Sequence, residues 1–250
     1  MQSNNIILTA FIGGLIPALL WLFFWLREDK EHPEPRGLLF ITFVAGMASV
    51  ILVLPFEQLA QQKIGSSISL TILWAAAEEI IKLLIVVLIV FKTSQLDEPV
   101  DYPIYFITAA LGFAALENTL FLLTPLGQNE ITVSLLTGNL RFLGATLLHA
   151  VCSSIIGISL GLAFFSTWIN KKIALFTGLF TAVALHALFN FFIIKGDGQN
   201  FLAVFAFLWV ITIITILLFE KLRRMGEQYQ ELTAKAHLET YGTLEQKPTT

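Results

Sequence analysis

Charge is scarce in this chain. Asp, Glu, Lys and Arg make up 13% of its 250 residues, about half the share of an ordinary soluble domain. A soluble surface needs about a quarter to a third charged residues, so a soluble globular fold is excluded. A disordered tail protein is excluded for the same reason, since such chains are low in hydrophobicity and rich in charge. The net charge of −3 creates no field that would attract DNA or RNA, and no nucleic-acid partner is expected. A single cysteine, Cys152, excludes a disulfide framework and a cysteine-rich zinc site. What is abundant is apolar: 56% of the residues are hydrophobic, and 22 are phenylalanine. The composition is that of an integral protein of the cell membrane, with the lipid bilayer as its solvent. In such a chain the few polar residues inside apolar segments carry the information.

Seven apolar stretches are long enough to cross a bilayer, at roughly 6–26, 37–56, 68–91, 102–125, 143–168, 173–194 and 200–219, given that a helix needs about 20 apolar residues to do so. Strands are too short to account for them, and runs such as IIKLLIVVLIVF lack the alternation of a membrane barrel. The first stretch reads as a retained span, because MQSNN carries no charge and the apolar run exceeds a signal-peptide core. The expected fold is all-α: a polytopic transmembrane helical bundle over 1–219, followed by a polar cytoplasmic tail, 220–250, that starts as a short helix and frays. Lysine and arginine set the orientation. Arg27, Lys30, Arg36, Lys92, Lys171, Lys172, Lys221, Arg223 and Arg224 fall on one side, against Lys63, Lys195 and the nearby Arg141 on the other. That bias puts the N-terminus outside and the C-terminus inside. The segment 126–142, with Gly127, Gly138 and Asn139, reads equally as an outer loop, a re-entrant piece or a helix extension.

Four spans carry polar residues. AAAEEIIKLL holds Glu78, Glu79 and Lys82; GFAALENTLF holds Phe113, Glu117 and Asn118; LLHAVCSS holds His149 and Ser153; LHALFN holds His186 and Asn190. Three glutamates and a lysine left facing lipid would cost on the order of 10 kcal/mol, so they must meet one another or water inside the bundle. The pairs Glu78/Lys82, Phe113/Glu117, His149/Ser153 and His186/Asn190 are each four apart and share a helix face. At 1.5 Å per residue, Glu78, Glu117, His149 and His186 lie roughly 9–15 Å below the outer ends of their spans. They therefore form one layer in the outer half of the membrane. Taken singly the residues have plainer readings: a packing histidine, a register-setting Glu–Lys pair, and Ser153 and Ser154 as helix-packing residues. Glu57, beside Pro55, reads as a solvated boundary charge. The joint pattern argues for chemistry, and three kinds remain open: hydrolysis by a carboxylate-activated water, a zinc site of two histidines and one or two glutamates, or a proton or ion pathway.

The four motifs, one per helix and in this order, resemble those of the PrsW family of intramembrane proteases, relatives of the CAAX prenyl proteases and the Abi immunity proteins. The loop REDKEHPEPR at 27–36 is similar to the acidic first cytoplasmic loop of that family. The resemblance implies an endopeptidase acting on a membrane-anchored protein substrate, an anti-sigma-factor-like protein among them, near the outer half of the bilayer. It implies that Glu78 or Glu79 activates the water, with Glu117 and His149 assisting. His186 and Asn190 would stabilise the oxyanion, and Lys82, Phe113 and Ser153 would support. It favours a glutamate-type mechanism with no cofactor. The alternative within it is a metalloprotease whose zinc is held by His149, His186 and either Glu117 or Glu79. Outside the family, the alternative is a proton- or ion-coupled transporter built on the same Glu/His layer.

Overall fold

A computed structural model describes residues 3–28, 33–65, 68–195 and 201–242. Residues 29–32, in the middle of the charged first loop, and the end of the tail lie outside the described residues. Among the described residues the chain is entirely helical apart from its turns: α1 (Ser3–Glu28), α2 (Arg36–Ile64), α3 (Ile68–Ile89), α4 (Asp101–Gly127), α5 (Ile131–Leu140), α6 (Thr146–Leu162), α7 (Trp168–Lys195) and α8 (Phe201–Gly242). Six elements are long and apolar enough to cross a membrane. α3 makes a seventh: its 22 residues rise about 33 Å, and its charged residues Glu78, Glu79 and Lys82 all face inward. The protein is a multi-pass integral membrane protein.

The structure decides three boundaries. The segment after Asn129 is a helix extension: α5 runs through a π turn, Arg141–Ala145, directly into α6, and Ile131–Leu162 counts as one crossing element. α2 continues past Pro55 to Ile64, carrying Glu57 down the same rod. α8 continues through position 220 without a break and is described as far as Gly242, so the span and the described part of the tail share one helix.

α4 is the hub. Its apolar residues are spread all round the helix, and such a helix belongs in the interior. It packs against α1, α2 and α6, with α7 and α8 completing the far side around α6 and α3 wedged between α2 and α7. With lipid tails as apolar as leucine, close backbone approach rather than hydrophobicity holds such helices together. Gly46 of α2 and Gly112 of α4 supply it. A Cβ on Gly46 would lie 2.1 Å from the Ala109 carbonyl oxygen, and one on Gly112 would lie 2.0 Å from that of Phe43. Lipid-facing Phe23, Phe40, Ile51, Leu52 and Phe180 stay exposed, as the bilayer requires.

At the end of the bundle opposite the polar layer, the first loop is anchored by one carboxyl. Glu34 is buried, accepts a hydrogen bond from the Tyr105 hydroxyl and contacts Asp101. Burial pushes its carboxyl above the ordinary value, against those hydrogen bonds, which pull it down.

Candidate active site

On α3, Ala75, Glu78, Glu79, Lys82, Leu83 and Val86 form the buried stripe, at the three- and four-residue spacing of one helix face. Lys82 is fully buried. Its ammonium donates to Glu79 Oε1 at 2.8 Å and stands 3.8 Å from Glu78 Oε2. The lysine therefore closes on the carboxylate three residues back rather than the one four back. Its ammonium also lies 4.5 Å from the Phe113 ring centroid, a cation–π contact in a desolvated site.

α6 brings His149 and Ser153 against this stripe. Ser153 Oγ donates to Glu79 Oε2 at 2.9 Å, while Ser154 only bonds back to its own helix at the Val151 oxygen. Lys82 Nζ reaches His149 Nδ1 at 2.8 Å. A lysine ammonium only donates, so Nδ1 accepts, and the proton sits on Nε2, which donates to Glu117 Oε2 at 3.0 Å. From α7, His186 Nδ1 meets Glu79 Oε1 at 2.9 Å. The carboxylate accepts, which leaves His186 Nε2 facing Glu78 Oε2 at 3.8 Å. The two imidazoles are edge to face, 5.0 Å apart, and Phe113 packs on His149 at 5.3 Å.

The two adjacent glutamates are thereby distinguished. Glu79 receives Lys82, Ser153 and His186. Glu78 keeps Oε2 buried and without any hydrogen bond, on the wall of a cavity of about 550 Å³. The candidate site residues of the four helices gather at this cavity or behind its wall. Glu78, Phe113, Glu117, His149, His186 and Asn190 line it directly, and Lys82, Glu79 and Ser153 stand behind them. The Asn190 amide makes no hydrogen bond among the described residues.

Two further charged residues line the same cavity. Glu57 is not a solvated boundary charge. α2 continues beyond the expected end of its span, so Glu57, Gln58 and Gln61 line the cavity together with Glu78. The Trp74 indole pins the spot by donating to the Glu57 carbonyl at 3.1 Å. The sequence signal was present in the one- and four-residue spacing of these three polar residues. Arg141 is the other. Its guanidinium pairs with the Glu117 carboxylate, donates through Nε to Asn118 Oδ1 at 2.5 Å and lies over the Phe121 ring at 3.9 Å.

The site has donors for a metal ion. Glu78, His149 and His186 each offer one ligand atom, all within 4.8 Å of one another. Two imidazoles and a carboxylate with a position left for water are a catalytic zinc set, and Glu78 Oε2, which accepts no hydrogen bond, and the His186 Nε2 facing it fit that role. Glu79 behind His186 and Glu117 behind His149 are the carboxylates that orient ligating histidines. The third donor, His149 Nδ1, is held by Lys82, which would have to withdraw onto Glu79. The carboxylate lying beside both histidines is Glu78, with Glu79 and Glu117 each touching only one of them.

Comparison with known proteins agrees with the geometry. Residues 34–218 match the model of the PrsW family intramembrane metalloprotease. The Protease PrsW of Oceanobacillus iheyensis is 29% identical over 227 residues, 88% of this chain and 97% of the relative. That of Geobacillus kaustophilus is 27% identical over 192 residues, 76% of this chain and 81% of the relative. That of Bacillus subtilis is 25% identical over 202 residues, covering 79% and 89%. No solved structure matches the chain. With the family model spanning the four polar helices and the first-loop carboxyl, the chain belongs to the PrsW family of intramembrane proteases.

Proposed function

We propose that this membrane protease hydrolyses peptide bonds of membrane-anchored proteins, anti-sigma-factor-like proteins among them, near the outer half of the bilayer, with a water activated by Glu78. The observation that carries the reading is the Glu78 carboxylate oxygen that accepts no hydrogen bond, on the wall of a cavity lined by several ionisable side chains inside an apolar bundle. In this reading Glu78 takes a proton from water as the hydroxide adds to the scissile carbonyl carbon. The Asn190 amide and an Nε2–H of His186 donate to the oxyanion that forms. Glu79, accepting from His186 Nδ1, orients that ring and stabilises its cationic form, as the buried carboxylate does in a triad. When the C–N bond breaks, Glu78 returns the proton to the departing amine, leaving a new carboxyl end and a new amino end. Lys82 and Ser153 hold Glu79, and Glu117 holds His149. The N-terminus lies outside and the C-terminus inside, as the lysine and arginine bias suggests. Family membership displaces the transporter alternative.

Glu78, His149 and His186 would hold a zinc ion. Bound there, it would lower the pKa of a coordinated water to about 7 and polarise the carbonyl.

The test is co-expression with a membrane-anchored reporter substrate. Wild type is expected to cleave it, and Glu78→Ala, Glu79→Ala and His186→Ala are each expected to abolish cleavage. Persistence in all three variants would sink the assignment. Zinc content of the purified protein decides the mechanism type: stoichiometric zinc lost together with activity on chelation would replace the glutamate-type reading with a metal-dependent one.

A further inference from the structure

The π turn Arg141–Ala145 has a consequence for the site. Arg141 and His149 are eight residues apart, and on a regular helix at about 100° per residue they would point about 80° away from each other. A π turn takes in one extra residue, so the two behave as if seven apart, about 20° off one line. Both side chains then reach the same carboxylate oxygen: Arg141 and His149 Nε2 both contact Glu117 Oε2. The guanidinium is fixed on its other edges. Its Nε donates to Asn118 Oδ1 at 2.5 Å, Asn118 in turn donates to Thr146 Oγ1 at 2.8 Å, and the Phe121 ring lies beneath it. Arg141 also lines the cavity that holds Glu78, His149 and His186.

We infer that Arg141 is a positioning residue of the protease site: it clamps the Glu117 carboxylate against His149 and so fixes the orientation and tautomer of that imidazole. The inference rests on the proposed peptidase reading. Only arginine meets the geometry in full, because a planar fork can hold a carboxylate and an amide oxygen at once, whereas a lysine holds a point contact. Loss of an outer partner of this kind typically costs about 10–100-fold in activity.

The experiment compares Arg141→Gln, Arg141→Lys, Glu117→Gln and the double variant Arg141→Gln/Glu117→Gln in detergent or proteoliposomes. Arg141→Gln is expected to lower kcat about 10–100-fold with KM within about twofold of wild type, and Arg141→Lys to recover part of the loss. The double variant, which leaves no uncompensated carboxylate, is expected to fold and to match Glu117→Gln alone. An Arg141→Gln rate within twofold of wild type, or losses that multiply in the double variant, would overturn the inference. A substrate-free arm uses 15N-labelled histidine, with His149 assigned from a His149→Gln variant. The His149 Nε2 resonance should move in Arg141→Gln in the same direction as in Glu117→Gln, and an unmoved resonance refutes the clamp. If wild type cleaves nothing, the peptidase reading fails, while the nitrogen shift still decides the role of Arg141.

Discussion

Replacing Lys82 with methionine removes the cation that touches Glu79, Glu78 and His149 together. The Lys82–Glu79 pair lies at 2.8 Å with both side chains at 0% exposure. At that distance the attraction is about 6 kcal/mol for an effective dielectric of about 20. Burying the ions costs several kcal/mol each, so the pair contributes little net, but breaking it is expensive. Lys82→Met leaves Glu79 buried with a serine and an imidazole as partners, and removing one member of such a pair costs about 3–5 kcal/mol. For a chain of this size that corresponds to a fall in Tm of about 6–20 °C. Thermal unfolding followed by tryptophan fluorescence in detergent measures it. The variant Lys82→Met/Glu79→Gln carries no orphaned charge and is expected to recover most of the lost Tm while remaining inactive. A Tm within 2 °C of wild type for Lys82→Met, or no recovery in the double variant, would refute the claim that the buried ion pair is what these residues share.

Three more outcomes follow from other parts of the molecule. Gly112→Ala would push a Cβ to 2.0 Å from the Phe43 oxygen, so overpacking of about 1–3 kcal/mol should lower Tm by about 2–12 °C. Gly37→Ala, with nothing within 4 Å, is the control expected not to lower Tm, because alanine is the better helix former. Ser153→Ala removes the hydrogen bond to Glu79 Oε2 and should cost about 1.5–3 kcal/mol by the same assay, with Ser154→Ala costing less because its bond is local to α6. Glu34 titrates with a raised folded-state value, so the folded protein holds that proton more tightly than the unfolded chain. Its stabilising contribution is full below the ordinary value of 4.5 and is lost as pH rises through the folded value. Glu34→Gln keeps an acceptor for Tyr105 without the charge. Its Tm should match wild type near pH 4 and exceed it at pH 8, and a gap that does not change with pH would contradict the assignment.

The sequence by itself determined the solvent and the cast. Low charge and long apolar runs require a bilayer, and helices are the only structures those runs can form within one. A polar residue in that setting is costly enough to be informative, which is why Glu78, Glu79, Lys82, Glu117, His149, His186 and Asn190 could be read from spacing along single helices. Tertiary structure decided the pairing. Glu79 meets His186 across 107 residues of chain and Ser153 across 74. No local pattern says which of two adjacent glutamates will be saturated and which left open on the cavity. Glu57 fell outside its expected span because α2 outlasts its apolar run; only the spacing of Glu57, Gln58 and Gln61 pointed to the longer helix. Arg141 was hidden because an eight-residue spacing becomes a shared face only when a π turn absorbs one residue, and nothing local in RFLGA announces that turn.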